Sequence, residues 1–310
     1  MQNKKGDLEI SFGWLFAIIA GVIIIVLAIY FSSKLIGTEQ ETRNAETGKE
    51  IGILLNPLET SFESAQTTSI TIPVETRINN GCSIIGAFGR QTIQLDQKSF
   101  NEWTKTNINV FFSNKYIFSE EQVEGKKFYI FSKPFDFPFK VADLVYMTSA
   151  NEKYCFIEPP EDIKEELSNL NQANILTEDC VGDEIKVCFN AGSCDINVNY
   201  NLGSVEKNGE TIYFDEGDDA LMYAGIFSEK AVYECQLKRL MLRIKTLSKL
   251  YESKEIISEK EGCTDNSLFG DLEILNELSE GFESSEGINA LEIIAENLEN
   301  KNNGRRCPLW

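Results

Sequence analysis

The chain contains no histidine. That single absence removes Ser-His-Asp and Cys-His nucleophile systems, the two-histidine zinc-protease helix and every imidazole metal ligand. No two cysteines stand three positions apart, the close pairing that a structural zinc site favours. Phosphate cradles are missing too, because Gly48-Lys49 and Gly125-Lys126 lack the preceding glycine of a Walker loop, and there is no dinucleotide fingerprint. The stretch from Gly81 to Gly86 has Ile85 where a nucleophile elbow needs glycine. Positive charge is scarce: 29 basic residues face 49 acidic ones, for a net charge of -20, which repels nucleic-acid phosphates and favours solubility. Internal repeats and low-complexity linkers are also absent.

Paired carboxylates remain, as in any acidic chain. Residues 214–220 gather Asp215, Glu216, Asp218 and Asp219 around Gly217, a set of oxygen donors that calcium could use. Acids at the start of a helix explain the same cluster, and that is the reading adopted. The stretch from Asp265 places Phe269 at a calcium-ligand position and Asn276 where a bidentate glutamate is needed, so it is not a calcium loop. The expectation is a chain with no metal, no cofactor and no enzymatic activity; a carboxylate-dependent surface hydrolase is the residual alternative.

What the sequence has in abundance is one apolar run. From Ile10 to Phe31 there is no charge, and about 22 residues of helix cover roughly 33 Å, enough for a hydrocarbon core of about 30 Å. The run ends in Tyr30, Phe31, Ser32, Ser33 and Lys34, without the small-x-small site of a cleaved secretory signal. Lys4 and Lys5 precede it, so the amino terminus is expected in the cytoplasm and the bulk of the chain outside the cell membrane. Gly13, Ala17 and Gly21, four apart, form a strip of small residues along which two such helices could pack.

The expected architecture is α+β. Residues 1–9 form a cytoplasmic segment, 10–31 the transmembrane helix and 32–66 a helical stalk reaching about Leu55 before Pro57. Residues 67–216 form an extracellular β-rich domain and 217–310 a helical region. Alternation in the stretch from Thr67 to Ile78 places Ile70, Ile72, Val74 and Thr76 on one strand face. Strand patterns recur up to Glu158, a short helix follows Pro160, and a cysteine-stapled meander carries a tight turn at Lys207, Asn208 and Gly209. Leu237, Leu240, Met241, Ile244, Leu247 and Tyr251 then mark a helical stripe.

Eight cysteines in an exported acidic chain predict disulfides: Cys82, Cys155, Cys180, Cys188, Cys194, Cys235, Cys263 and Cys307. We expect two of Cys180, Cys188 and Cys194 to pair and Cys307 to return to Cys263 or Cys235. Two further features could bind a partner. Aromatic residues crowd the run from Phe100 to Phe139, most of them suited to filling a sheet core. The helix carrying Lys238, Arg239, Arg243, Lys245 and Lys249 is basic, with pairing to acidic helices as its ordinary explanation.

Lys5, Gly6, Asp7 and Leu8, directly before the apolar run, resemble the class III signal peptide of archaeal type IV pilins. The resemblance covers about the first 35 residues and implies cleavage between Gly6 and Asp7, with the apolar helix retained. It departs from bacterial pilins, which carry glutamate five residues into the mature chain, where this sequence has Ser11. The readings are a membrane-anchored extracellular interaction or surface-structure protein with an unknown surface partner, or a pilin-like subunit assembling with itself or similar chains through the membrane helix. No nucleic acid is expected as a partner.

Overall fold

The protein is described by a computed structural model covering residues 12–55, 66–99, 102–104, 109–189, 194–215, 218–263 and 267–310. Helix α1, Phe12–Leu55, runs for 44 residues through Gly37, Gly48 and Gly52 and ends before Pro57, whose ring disfavours helix in the residue it follows. Within it Gly13–Leu35 is a 23-residue apolar stretch, none of it buried, long enough by composition and length to cross a membrane.

Among the described residues the strands form two sheets. The first is built from β1 (Gln66–Ser83), β2 (Arg90–Ser99), β3 (Glu102–Thr104), β4 (Asn109–Phe112), β5 (Tyr116–Phe118), β6 (Gln122–Asp136) and β7 (Lys140–Ser149). Its order is β3-β2-β1-β6-β7-β5, with β4 also on β2; every pairing is antiparallel except β5 with β7. The sheet curls, because Asn80 of β1 donates to the Ile117 carbonyl at 3.2 Å and Gln91 of β2 accepts from the Ile117 N–H at 3.3 Å. Strand β5, on the far edge, is thereby drawn back toward the opposite strands. Inside the curl Ile78, Ile93, Leu95, Val123, Phe128, Ile130, Val145 and Met147 are buried.

The strand face expected to carry Ile70, Ile72, Val74 and Thr76 needs one correction. Val74 is exposed, whereas Ile72 and Thr76 are buried. The β1–β6 register shifts between Thr71 and Thr76, around Pro73, which has no N–H for the ladder, so the alternation slips there. Gly125 sits inside β6. A Cβ at Gly125 would lie 2.7 Å from Ser149 Oγ, and the missing side chain lets Ser149 donate to the Glu124 carbonyl at 2.6 Å.

The second sheet contains β8 (Tyr154–Ile157), β9 (Ile175–Leu176), β10 (Ile185–Phe189), β11 (Ile196–Asn199), β12 (Ser204–Lys207) and β13 (Glu210–Tyr213), in the order β13-β12-β11-β10-β8-β9. Helix α2, Glu161–Asn169, connects β8 to β9. The expected meander holds only for β11, β12 and β13. Strands β10 and β11 are parallel, with Val187 opposite Ile196, and the Cys188–Cys194 bridge links β10 to the residue two positions before β11. The β12–β13 turn is as expected: Asn208 and Gly209 both have positive φ, 55° and 75°, the signature of a type I′ hairpin.

Helix α3, Asp219–Phe227, lies between the two sheets and is buried from Ala220 to Phe227. Gly225 allows that proximity, since a Cβ there would meet Val205 of β12 at 3.1 Å. Phe131, Tyr146, Tyr223 and Phe227 interlock around it, with the Phe131 and Tyr146 rings 4.5 Å apart. Helices α4 (Lys230–Lys260), α5 (Phe269–Glu280) and α6 (Ile288–Asn303) complete the fold. The predicted stripe is the buried face of α4, and one hydrophobic cluster extends from Tyr116 to Leu309, so the β-rich and helical regions share a core without a break at 216.

All eight cysteines are bridged: Cys82–Cys235, Cys155–Cys180, Cys188–Cys194 and Cys263–Cys307. Within the group of three, Cys188 pairs with Cys194, and Cys307 pairs with Cys263, one of its two expected partners. The first bridge fastens β1 of the curled sheet to α4, the longest sequence reach of the four.

Candidate functional site

Lys5, Gly6 and Asp7, the expected processing site, lie outside the described residues, as do Phe100, Glu216 and Gly217. Gly13 and Ala17 are exposed on α1, and a Cβ at Gly21 would meet nothing within 4 Å. The small-residue strip is therefore open along one side of the apolar helix.

The acids of 214–220 do not converge on one point. Asp218 is the N-cap of α3 and accepts from the Ala220 and Leu221 N–H groups at 2.8 and 3.1 Å. Asp219 turns toward Lys133 of β6 at 3.1 Å and accepts the Tyr200 hydroxyl at 2.8 Å. Glu166 of α2 completes this cluster, 2.7 Å from Lys133 and 3.2 Å from the Tyr223 hydroxyl. Burial pulls the Lys133 ammonium down, but Glu166 and Asp219 outweigh it and hold Lys133 above its ordinary value. A lysine so paired is charged, and it joins α2, α3 and β6 rather than acting as a nucleophile. Burial pushes the Asp218 carboxyl up to about 7, and burial with a hydrogen bond to Glu292 of α6 pushes Asp215 up to about 8. Among the described residues no group of three Asp, Glu or Cys side chains is placed to hold a metal ion.

A second acidic arrangement flanks the start of α4. A cavity of about 300 Å³ is lined by Lys207, Asn208 and Glu210 of the β12–β13 hairpin and by Glu229, Lys230 and Glu234. A hydrogen bond with Glu120, aided by burial, pushes the Glu229 carboxyl up to about 7. Lys207 in turn pairs with Glu120. Glu234 is held by the Ser285 N–H and hydroxyl at 2.9 and 2.6 Å. A carboxyl raised toward neutrality, as Glu229 is, can both donate and accept a proton, the elementary requirement of acid–base chemistry. No sequence motif marks Glu120 and Glu229, because the two come together only through tertiary structure.

The two binding features divide differently. Of the aromatic run, Tyr116, Phe118, Phe128, Tyr129, Phe131, Phe135, Phe137 and Phe139 are buried. Phe111 is exposed and Trp103 half-buried, and each lies against a guanidinium: Arg90 over Phe111 at 5.0 Å and Arg77 over Trp103 at 4.3 Å. The basic helix is not one charged face. Lys245 pairs with Glu280 of α5 at 2.6 Å, as the ordinary explanation requires. Arg239 is wholly buried and is held by neutral groups: its Nη1 donates to the Lys115 carbonyl at 2.8 Å and to Gln236 Oε1 at 2.7 Å. Its Nε and Nη2 donate to the Phe88 and Ser113 carbonyls, both at 3.1 Å. Loss of hydration lowers Arg239 to about 10. The readable signal was spacing, since Val232, Gln236, Arg239 and Arg243 recur at three and four along a second face of α4.

Comparison with protein-family profiles, curated proteins and solved structures returned no match.

Proposed function

We propose that this is a membrane-anchored protein whose disulfide-bridged head makes contacts outside the cell. The observation that carries the reading is the conjunction of a 23-residue apolar helix with no buried residues and a head whose eight cysteines are all bridged. A helix exposing Trp14, Ile18, Ile24 and Phe31 around its circumference has no stable place in water, and a bilayer supplies what the head does not. Bridged cysteines belong in an oxidising compartment, on the far side of the membrane from the cytoplasm. Lys4 and Lys5 supply the orientation.

The test uses tags at both ends of the full chain in intact cells. Added protease should remove the carboxyl-terminal tag and spare the amino-terminal one. The opposite pattern would invert the topology, and recovery of the untreated chain in the soluble fraction would remove the anchor altogether.

A second reading, a pilin-like assembly subunit processed after Gly6, draws on the open strip of Gly13, Ala17 and Gly21. Lipid gives helices no hydrophobic reason to associate, so close backbone packing along small residues would supply the contact. Amino-terminal mass spectrometry of the chain from native membranes distinguishes the two, because the assembly reading requires a chain beginning at Asp7.

A further inference from the structure

The geometry points to an oxyanion-binding pocket where the β4–β5 connection, the start of β7 and the middle of α4 meet, suited to a small ligand bearing a carboxylate or a phosphate. The cavity is about 340 Å³ and is lined by Asn114, Lys140, Val141, Ala142, Asp143 and Arg243, a volume at the lower end of small-molecule sites. The inference does not depend on the membrane reading.

Charge is the first argument. In a chain of net charge -20, this corner carries cations that the chain's own acids do not balance. Lys140 is matched by Asp143 at 3.0 Å. Arg243, by contrast, has no carboxylate partner among the described residues, and Arg239 behind it is held only by carbonyls and the Gln236 amide. One guanidinium, Arg243, thus lines the cavity and a second, Arg239, lies one turn away on α4, neither with a carboxylate partner among the described residues, in partly desolvated surroundings where their field is strong.

Donor geometry is the second. The Tyr116 hydroxyl is buried against Arg243 and hydrogen-bonds with it, which steadies the guanidinium at the cavity wall. A guanidinium also presents its N–H groups in a fork that matches a carboxylate or phosphate edge.

Rigidity is the third. Arg239 donates to the carbonyls of Ser113 and Lys115, the residues on either side of Asn114, so the segment carrying the Asn114 amide is fixed from below. The Tyr116 ring lies 4.7 Å from the Arg239 guanidinium, which holds the buried side of the same segment as well. Donors placed before a ligand arrives lose little freedom when it binds.

The test follows thermal unfolding of the detergent-solubilised full chain at constant ionic strength, with sodium chloride replaced stepwise by sodium phosphate or by sodium glucuronate. Constant ionic strength matters, because salt alone relieves self-repulsion in so acidic a chain. Specific binding gives a rise in Tm that follows a binding isotherm. Lys140→Gln, at a side chain that is 44% exposed, keeps the fold, and both it and Arg243→Gln should weaken binding at least tenfold. Should Arg243→Gln fail to fold, Arg243→Lys retains the charge without the fork and should still weaken binding. Saturation by phosphate alone assigns a phosphoryl ligand, and saturation by glucuronate alone assigns an acidic sugar. Absence of any saturating shift beyond chloride, or a shift unchanged by Lys140→Gln and the Arg243 variants, overturns the inference.

Discussion

Arg305→Met should be among the most damaging single substitutions in this protein, and the reason lies in one carboxylate. Glu255 of α4 and Arg305, just beyond α6, are each 1% exposed and stand 3.0 Å apart. The same Glu255 Oε1 accepts the Leu268 N–H at 2.7 Å, at the entrance to α5, so one oxygen joins three elements. Methionine fills much of the arginine's volume but leaves the Glu255 charge buried with a single backbone donor. Breaking such a pair from one side costs about 3–5 kcal/mol, whereas removing both charges is often near neutral. The double variant Glu255→Gln with Arg305→Met keeps an acceptor for Leu268 and leaves no charge behind. It should recover most of the loss, with a coupling of about 2 kcal/mol or more. At roughly 2–4 °C per kcal/mol, the single variant should lower Tm by on the order of 10 °C. Urea unfolding of the full chain in detergent, followed by circular dichroism, measures the cost and the coupling, and a thermal scan measures the Tm shift. A single-variant cost below about 1 kcal/mol, in the range of an exposed pair, would refute the premise that this pair is shielded from water.

Loss of Cys82–Cys235 should cost more than loss of Cys188–Cys194, because the sequence separations are 153 and 6. Loop-closure entropy alone gives about 5 and about 2 kcal/mol respectively, and serine variants compared by denaturation midpoint would show the reverse order if the unfolded chain's entropy were not the controlling quantity. Gly89→Ala should cost about 1–3 kcal/mol, since Gly89 has φ of 61° and a Cβ there would stand 2.6 Å from the Ser83 carbonyl oxygen; an unchanged Tm would contradict the close approach. Asp218 and Asp215, held above the unfolded value of about 3.9, bind more protons in the folded state, so their contribution is full below about pH 4 and lost as pH rises toward 8. Asp218→Asn keeps the cap acceptor and should shrink the Tm difference between pH 5 and pH 8, and an undiminished difference would place the titration elsewhere.

The elements with a strong period were legible. The apolar helix was legible from its length and lack of charge, the longer first-sheet strands and the α4 stripe repeat long enough for periodicity to decide their type, and Asn208-Gly209 announces its turn by residue identity. What failed failed locally and for physical reasons. Pro73 shifts the β1 ladder and turns Val74 outward, a slip that an alternating pattern conceals. Strands β3 and β9 span three residues and two, too short to carry a period. The parallel pairing of β10 with β11 could not be read either, because short connections ordinarily join antiparallel strands.

The candidate sites were less legible than the fold, because charge in a sequence has no direction. Lys238, Arg239, Arg243, Lys245 and Lys249 read as one basic helix, yet the fold gives three of them different roles: Lys245 an ion pair with α5, Arg239 the anchoring of a loop, and Arg243 a cavity wall. The acids of 214–220 separate in the same way, into a helix cap, a lysine cluster and a carboxyl pair with α6. In both cases the residue types were visible and the partners were not, since Lys133, Glu166 and Tyr200 lie 86, 53 and 19 positions before Asp219. An acidic chain makes this worse for its acids and better for its cations. With 49 carboxylates available, an acidic cluster is expected anywhere, whereas an arginine that finds none of them among the described residues has been kept from them by the fold. That asymmetry directs the search for a ligand to Arg243 rather than to the carboxylates around Asp218.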